Sequence, residues 1–255
     1  MDTRTQEFLN NPILPLLVRM AAPNTIAFFI QAIVVLTEVW FISKLGTTSL
    51  AAVALAFPIL MITQQMAFGA LGGAVTSSIA RSIGAGDTIR AEKLLWHSLL
   101  IASCGAVVFL LAFLLGGESL LKILGGKGPL LEESLSYCMI FLTGGILIWL
   151  SGSLSAALRG MGNMRYPAML MSISSGMQVI LSGGFILGWF GFPKLGIAGA
   201  AVSALASGGF MSLMMFLKLS SSSSKINLKI SRFSFEKELF KDILDVFLPA
   251  SLAPV

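Results

Sequence analysis

Between its charged residues the chain is apolar in six windows, 20–37, 45–80, 94–117, 134–158, 166–193 and 195–217, each free of Asp, Glu, Lys and Arg. About 20 residues at 1.5 Å rise cross a hydrocarbon core of roughly 30 Å, and a helix satisfies its own backbone groups there. Six transmembrane helices are therefore predicted, near 14–43, 50–79, 93–115, 133–157, 166–190 and 196–217. The second window could hold two crossings, yet Gly46-Thr47-Thr48-Ser49 reads as a turn ahead of one long helix containing Pro58. The fold class is all-α, a polytopic six-helix membrane bundle.

After the sixth helix the pattern changes to Leu219-Ser220-Ser221-Ser222-Ser223-Ser224, then to a mixed-charge amphipathic stretch ending at Asp245. This predicts a flexible connector leading to a surface-lying helix. The last ten residues are apolar, and aligning Pro249 with Pro23 sets Ile243-Leu244 against Leu17-Val18. A second six-helix unit would begin at this point, as in transporters built from parallel repeats. The expected organisation is a lobe over 1–218, a connector over 219–242 and the start of a seventh helix over 243–255.

Composition removes the soluble alternatives. Of the 255 residues 56% are hydrophobic and 11% are charged, against about 25% charged in ordinary soluble domains. A net charge of +5 spread between apolar runs forms no basic stripe, so nucleic acid is not an expected partner. The Lys and Arg positions also orient the bundle. With the amino terminus in the cytoplasm, only Lys44, Lys122, Lys127 and Lys194 of the 17 basic residues fall outside, as the positive-inside rule requires. The first apolar run follows a polar segment over 1–11, lacks a small-residue cleavage site, and is expected to stay as a helix. Cys104 and Cys138 lie in apolar runs as small hydrophobes, and no disulfide is implied.

Glu38 is the one acidic residue inside a predicted span. A carboxylate at mid-bilayer costs about 2.5–3.5 kcal/mol, and such groups usually face a cavity and bind a cation or proton. The competing placement is among headgroups or beside Lys44. Gln31, seven residues earlier, shares the same face. Gln64 and Gln65, near the middle of the second helix, are expected to face inward, toward substrate or a neighbouring helix. Gln178 and Ser182 are spaced to form one polar spot on the fifth helix, although a lone transmembrane serine tends to bond back to its own helix. His97 reads as an interfacial histidine. Gly144-Gly145 and similar small pairs permit close helix approach. Gly84-Ala85-Gly86-Asp87 lacks the strand of a phosphate-binding motif. No Ser/His/Asp set, metal cluster or Walker motif is present, so neither an enzyme nor a cofactor is expected.

Four segments together carry a family resemblance: 45–58 (LGTTSLAAVALAFP), 80–87 (ARSIGAGD), 156–163 (AALRGMGN) and 195–202 (LGIAGAAV). In order and spacing the chain resembles the multidrug and toxic compound extrusion (MATE) transporters. The resemblance implies one of two six-helix lobes, with a second lobe completing the protein. It implies export of small organic, often cationic, compounds driven by sodium or protons across the plasma (inner) membrane. Glu38 stands where such transporters usually have a coupling aspartate, so a sodium ion or proton is expected there. Many relatives have Asn and, four residues later, Asp or Asn where this chain has Gln178 and Ser182, so Glu38 keeps neutral oxygens as company. Two rivals remain. A lipid-linked oligosaccharide flippase would want a cationic cavity, and the predicted helix interiors contain no Lys or Arg after Arg19. The other is a non-transporting fragment that needs a second lobe.

Overall fold

A computed structural model describes residues 13–221, 226, 228 and 236–252, with the side chains of 13–17, 19 and 20 outside the description. The readings made for residues 1–11, for most of the serine-rich connector and for 253–255 lie outside the described residues. Helix α1 is Ile13–Ser43, α2 is Thr47–Gly84, α3 is Thr88–Ile123, α5 is Arg165–Leu187 and α6 is Ile197–Ser220. Each is long and apolar enough to cross a membrane. The sixth crossing, α4, is two segments, α4a (Gly128–Thr143) and α4b (Gly145–Gly160), bent by 47°. The chain is a multi-pass membrane bundle, as its hydropathy demands.

The boundaries follow local chemistry. Gly46 at φ 125° turns the chain into α2, the Asp87 carboxylate caps α3 by accepting the Arg90 N–H at 2.9 Å, and left-handed Gly188 ends α5. Helix α2 runs unbroken past Pro58, as predicted, but its middle widens into a π-helical turn over Gln65–Ala70. The single fourth helix expected over 133–157 is corrected to a bent pair. At Gly144 a Cβ would sit 2.4 Å from Leu205 Cδ1, so the bend falls where the Leu205 side chain of α6 packs against bare backbone.

The lobe packs α4b between the second half of α2 and α3, while α5 lies against α1 and α6. Trp149 is almost wholly buried in one core cluster with Leu71, Leu94, Leu95 and Met215. A second cluster joins Phe41, Ala56, Cys138, Phe141 and Ile186. Leu115 and Ile123, at 89% and 82% exposed, show the surface left for lipid. One end of the bundle collects Arg81, Arg90, Lys93, Arg165 and Lys218, and is called the basic end below; Lys44, Lys122, Lys127 and Lys194 lie at the far end.

One helix, α7 (Lys237–Leu252), runs across the junction placed between residues 242 and 243. It does not merely lie on a surface: Leu239 and Ile243 are buried against the basic ends of α2 and α3. Arg90 pairs with Asp242, and Lys93 Nζ lies 2.5 Å from Glu236 Oε1. His97, read as an interfacial histidine, lies near the basic end and is fully buried within the protein. Its Nε2 accepts the Glu236 backbone N–H at 3.0 Å, which leaves Nδ1 as the donor to the Lys93 carbonyl at 2.8 Å. A neighbour 139 residues away in sequence decides that burial.

Candidate functional site

The site begins at the α1–α5 contact. Ser182 Oγ donates to Glu38 Oε1 at 2.6 Å, and Gln178 Nε2 donates to the same oxygen at 3.0 Å. One rung nearer the basic end, Ser175 Oγ donates to Gln31 Oε1 at 2.8 Å. Gln31 to Glu38 and Ser175 to Ser182 are both seven-residue steps, about 10.5 Å of helix each, so the two helices run in register. Glu38 is thus held inside the lobe and away from Lys44, whose ammonium stands over the Trp40 ring at 5.1 Å. Ser182 bonds across to α1, correcting the back-bond expected of a lone serine. Glu38 Oε2 accepts no hydrogen bond among the described residues.

Next to this ladder a cavity of about 400 Å³ opens between α1, α2, α4, α5 and α6. Gln31, Gln64, Gln65 and Gln178 line it, as does Ser175. Glu38 and Ser182 do not; they stand behind Gln178, which bridges the carboxylate to the cavity wall. Gln65 opens the π-turn and Gln64 directly precedes it; such a turn widens a helix locally and recurs at functional sites. Their amides make no hydrogen bond among the described residues and are open to a ligand. The turn fits because α4b carries Gly152 opposite: a Cβ there would lie 2.8 Å from the Ala67 carbonyl oxygen. Phe28, Phe68, Phe141 and Met211 supply apolar wall.

Several wall residues escaped the sequence reading. Ser175 sits three residues before Gln178 and seven before Ser182, a spacing that could have revealed it. Ser151, Ser155 and Asn24 gave no local signal. Arg159, which lies beyond the predicted helix interiors, also lines the cavity, so the cavity carries a cation that those interiors did not offer. It lies in the last turn of α4b, just past the predicted helix end, and tertiary packing turns it inward. Among the described residues no group of three or more His, Cys, Asp or Glu is placed to hold a metal. A cation at Glu38 would have to use neutral oxygens beside one carboxylate.

The MatE family model matches residues 23–183. A FAD transporter of Shewanella oneidensis is 34% identical over 206 residues, covering 78% of this chain and 44% of the relative. The multidrug export protein MepA of Staphylococcus aureus is 23% identical over the whole chain and 55% of the relative. A solved MOP superfamily transporter from Pyrococcus furiosus superposes with a TM-score of 0.85 at 32% identity, over 92% of this chain and 51% of that one. The chain spans about half the length of the relatives it matches.

Proposed function

Because the chain belongs to the MatE family of transporters, we propose that it forms one lobe of a secondary active exporter in which Glu38 couples cation entry to the outward movement of small organic, often cationic, compounds. The carrying observation is the carboxylate at residue 38, held by two neutral donors on Oε1 while Oε2 stays open. A lipid-facing carboxylate would be costly, and one clamped behind a cavity wall is positioned to receive a proton or a sodium ion. For sodium, Glu38 Oε2, Gln178 Oε1 and Ser182 Oγ would supply the oxygens. Protonation of Glu38 would remove the charge that attracts the two donors and release Gln178 into the cavity, whereas a sodium ion would hold Gln178 in place through Oε1. That is a direct physical link between ion and cargo.

In this reading the basic end faces the cytoplasm of a plasma (inner) membrane, and a second six-helix lobe supplies the opposite wall of the cavity. Alternating access needs both walls. Similarity to MepA, a multidrug export protein, supports a drug-like cargo, while similarity to the Shewanella FAD transporter supports a second class, the anionic flavin nucleotides. The test is Glu38→Gln in the two-lobe assembly reconstituted into vesicles. Efflux driven by a sodium or proton gradient should disappear while equilibrium substrate binding persists. Efflux that keeps its ion dependence after this change would refute the assignment.

A further inference from the structure

Coupling at Glu38 makes no use of the guanidinium at the opposite end of the same cavity. Eleven residues of α4b separate Arg159 from Ile148, so it sits about 16 Å nearer the basic end. Its Nε is buried and takes no hydrogen-bond partner among the described residues, and no carboxylate there lies within ion-pair distance of the side chain. Burying a cation without a counter-charge is costly, and an anion relieves the cost. The group also lies against α2: an ideal Cβ on Gly72 would stand 3.8 Å from Arg159 Nη2, ordinary van der Waals contact. Ser155, one turn earlier on α4b, and the open amides of Gln64 and Gln65 line the same wall.

A planar fork of donors beside hydroxyl and amide groups suits a phosphate or carboxylate, which guanidinium binds through two parallel hydrogen bonds. We propose that Arg159 is the subsite for the anionic group of the transported compound, phosphate or carboxylate, at the basic end of the cavity. The cavity is then polarised, with a carboxylate behind one end and a guanidinium at the other, and the apolar Phe68, Met171 and Met211 surfaces between them take a ring system. Its preferred cargo is an amphipathic compound with one anionic terminus. This rests on the transport reading only in treating the cavity as the cargo site.

Riboflavin and its 5′-phosphate, FMN, share a fluorescent ring and differ by one phosphate. Fluorescence anisotropy of both with the full chain in phosphatidylcholine nanodiscs should show FMN bound at least about tenfold more tightly, a difference of 1.4 kcal/mol. Arg159→Gln should bring the ratio close to one, and Arg159→Lys, which keeps a point charge, should retain part of the preference. An FMN preference that weakens steeply with salt in the unaltered chain gives the same reading without any variant. An anionic lipid headgroup offers the same chemistry, so the measurement is repeated with phosphatidylglycerol added. A persistent FMN preference assigns the subsite to cargo, whereas its loss gives the site to lipid and overturns the proposal. Equal binding of the two flavins, no FMN binding in either nanodisc, or a ratio that survives Arg159→Gln also overturns it. No gradient enters this experiment, so its failure leaves the coupling role of Glu38 standing, and the failure of Glu38→Gln leaves Arg159 untouched.

Discussion

Replacing Gly152 by alanine tests whether the π-turn and α4b meet as closely as the cavity requires. The new Cβ would lie 2.8 Å from the Ala67 carbonyl oxygen and 3.2 Å from its carbon, both backbone atoms that cannot swing aside. Overpacking of this kind costs about 1–3 kcal/mol. Alanine also gains up to about 1 kcal/mol in helix propensity, so a bare comparison with the parent would understate the clash. Gly73→Ala supplies the control, because nothing lies within 4 Å of its Cβ and it receives the same propensity gain. The difference between the two variants isolates the contact. At about 2–4 °C per kcal/mol for a chain of this size, Gly152→Ala should melt about 2–12 °C below Gly73→Ala. The assay is thermal unfolding of each variant in identical nanodiscs, followed by tryptophan fluorescence because Trp149 lies in the adjacent core. Cavity binding should weaken along with stability, since Gln65 opens the displaced turn and Gln64 adjoins it. Equal melting temperatures, or a lower one for Gly73→Ala, would refute the packing described for this wall.

Other outcomes follow from the same contacts. Ser182→Ala removes the 2.6 Å donor to Glu38, and because hydrogen bonds to charged groups contribute about 1.5–3 kcal/mol, gradient-driven efflux by the two-lobe assembly should fall about tenfold or more. Ser172→Ala, which loses only a bond within its own helix, should leave efflux within about twofold of the parent, and a reversed order would count against the ladder. His97→Ala leaves the Glu236 N–H without its acceptor and should free α7, raising the rate of limited proteolysis of the connector about tenfold. Asp242→Asn breaks only a half-exposed ion pair, a loss of about 1 kcal/mol or less, so its cleavage rate should change far less.

The candidate site was legible where a side chain was out of place for its own segment. A carboxylate in an apolar window is an anomaly that needs no partner to be noticed, and Gln178 and Ser182 declare themselves by their four-residue spacing. The register that joins them to Glu38 depends on how α5 lies against α1, which neither segment encodes alone. Arg159 illustrates the reverse case. In sequence it is an ordinary basic residue beside a helix end, and only the packing of α4b against its neighbouring helices places it on the cavity wall. His97 is similar, since its burial is imposed by α7.

Hydropathy alone determined the number of crossings, the long second helix and the asymmetric placement of basic residues, because lipid acts as a uniform solvent that rewards each segment for its own composition. Tertiary structure alone decided the bend at Gly144, the π-turn at Gln65–Ala70, the burial of His97 and the entry of Arg159 into the cavity. The bend and the π-turn are close approaches at Gly144 and Gly152, while the other two depend on neighbours from distant segments, and no single segment carries both halves of such a contact.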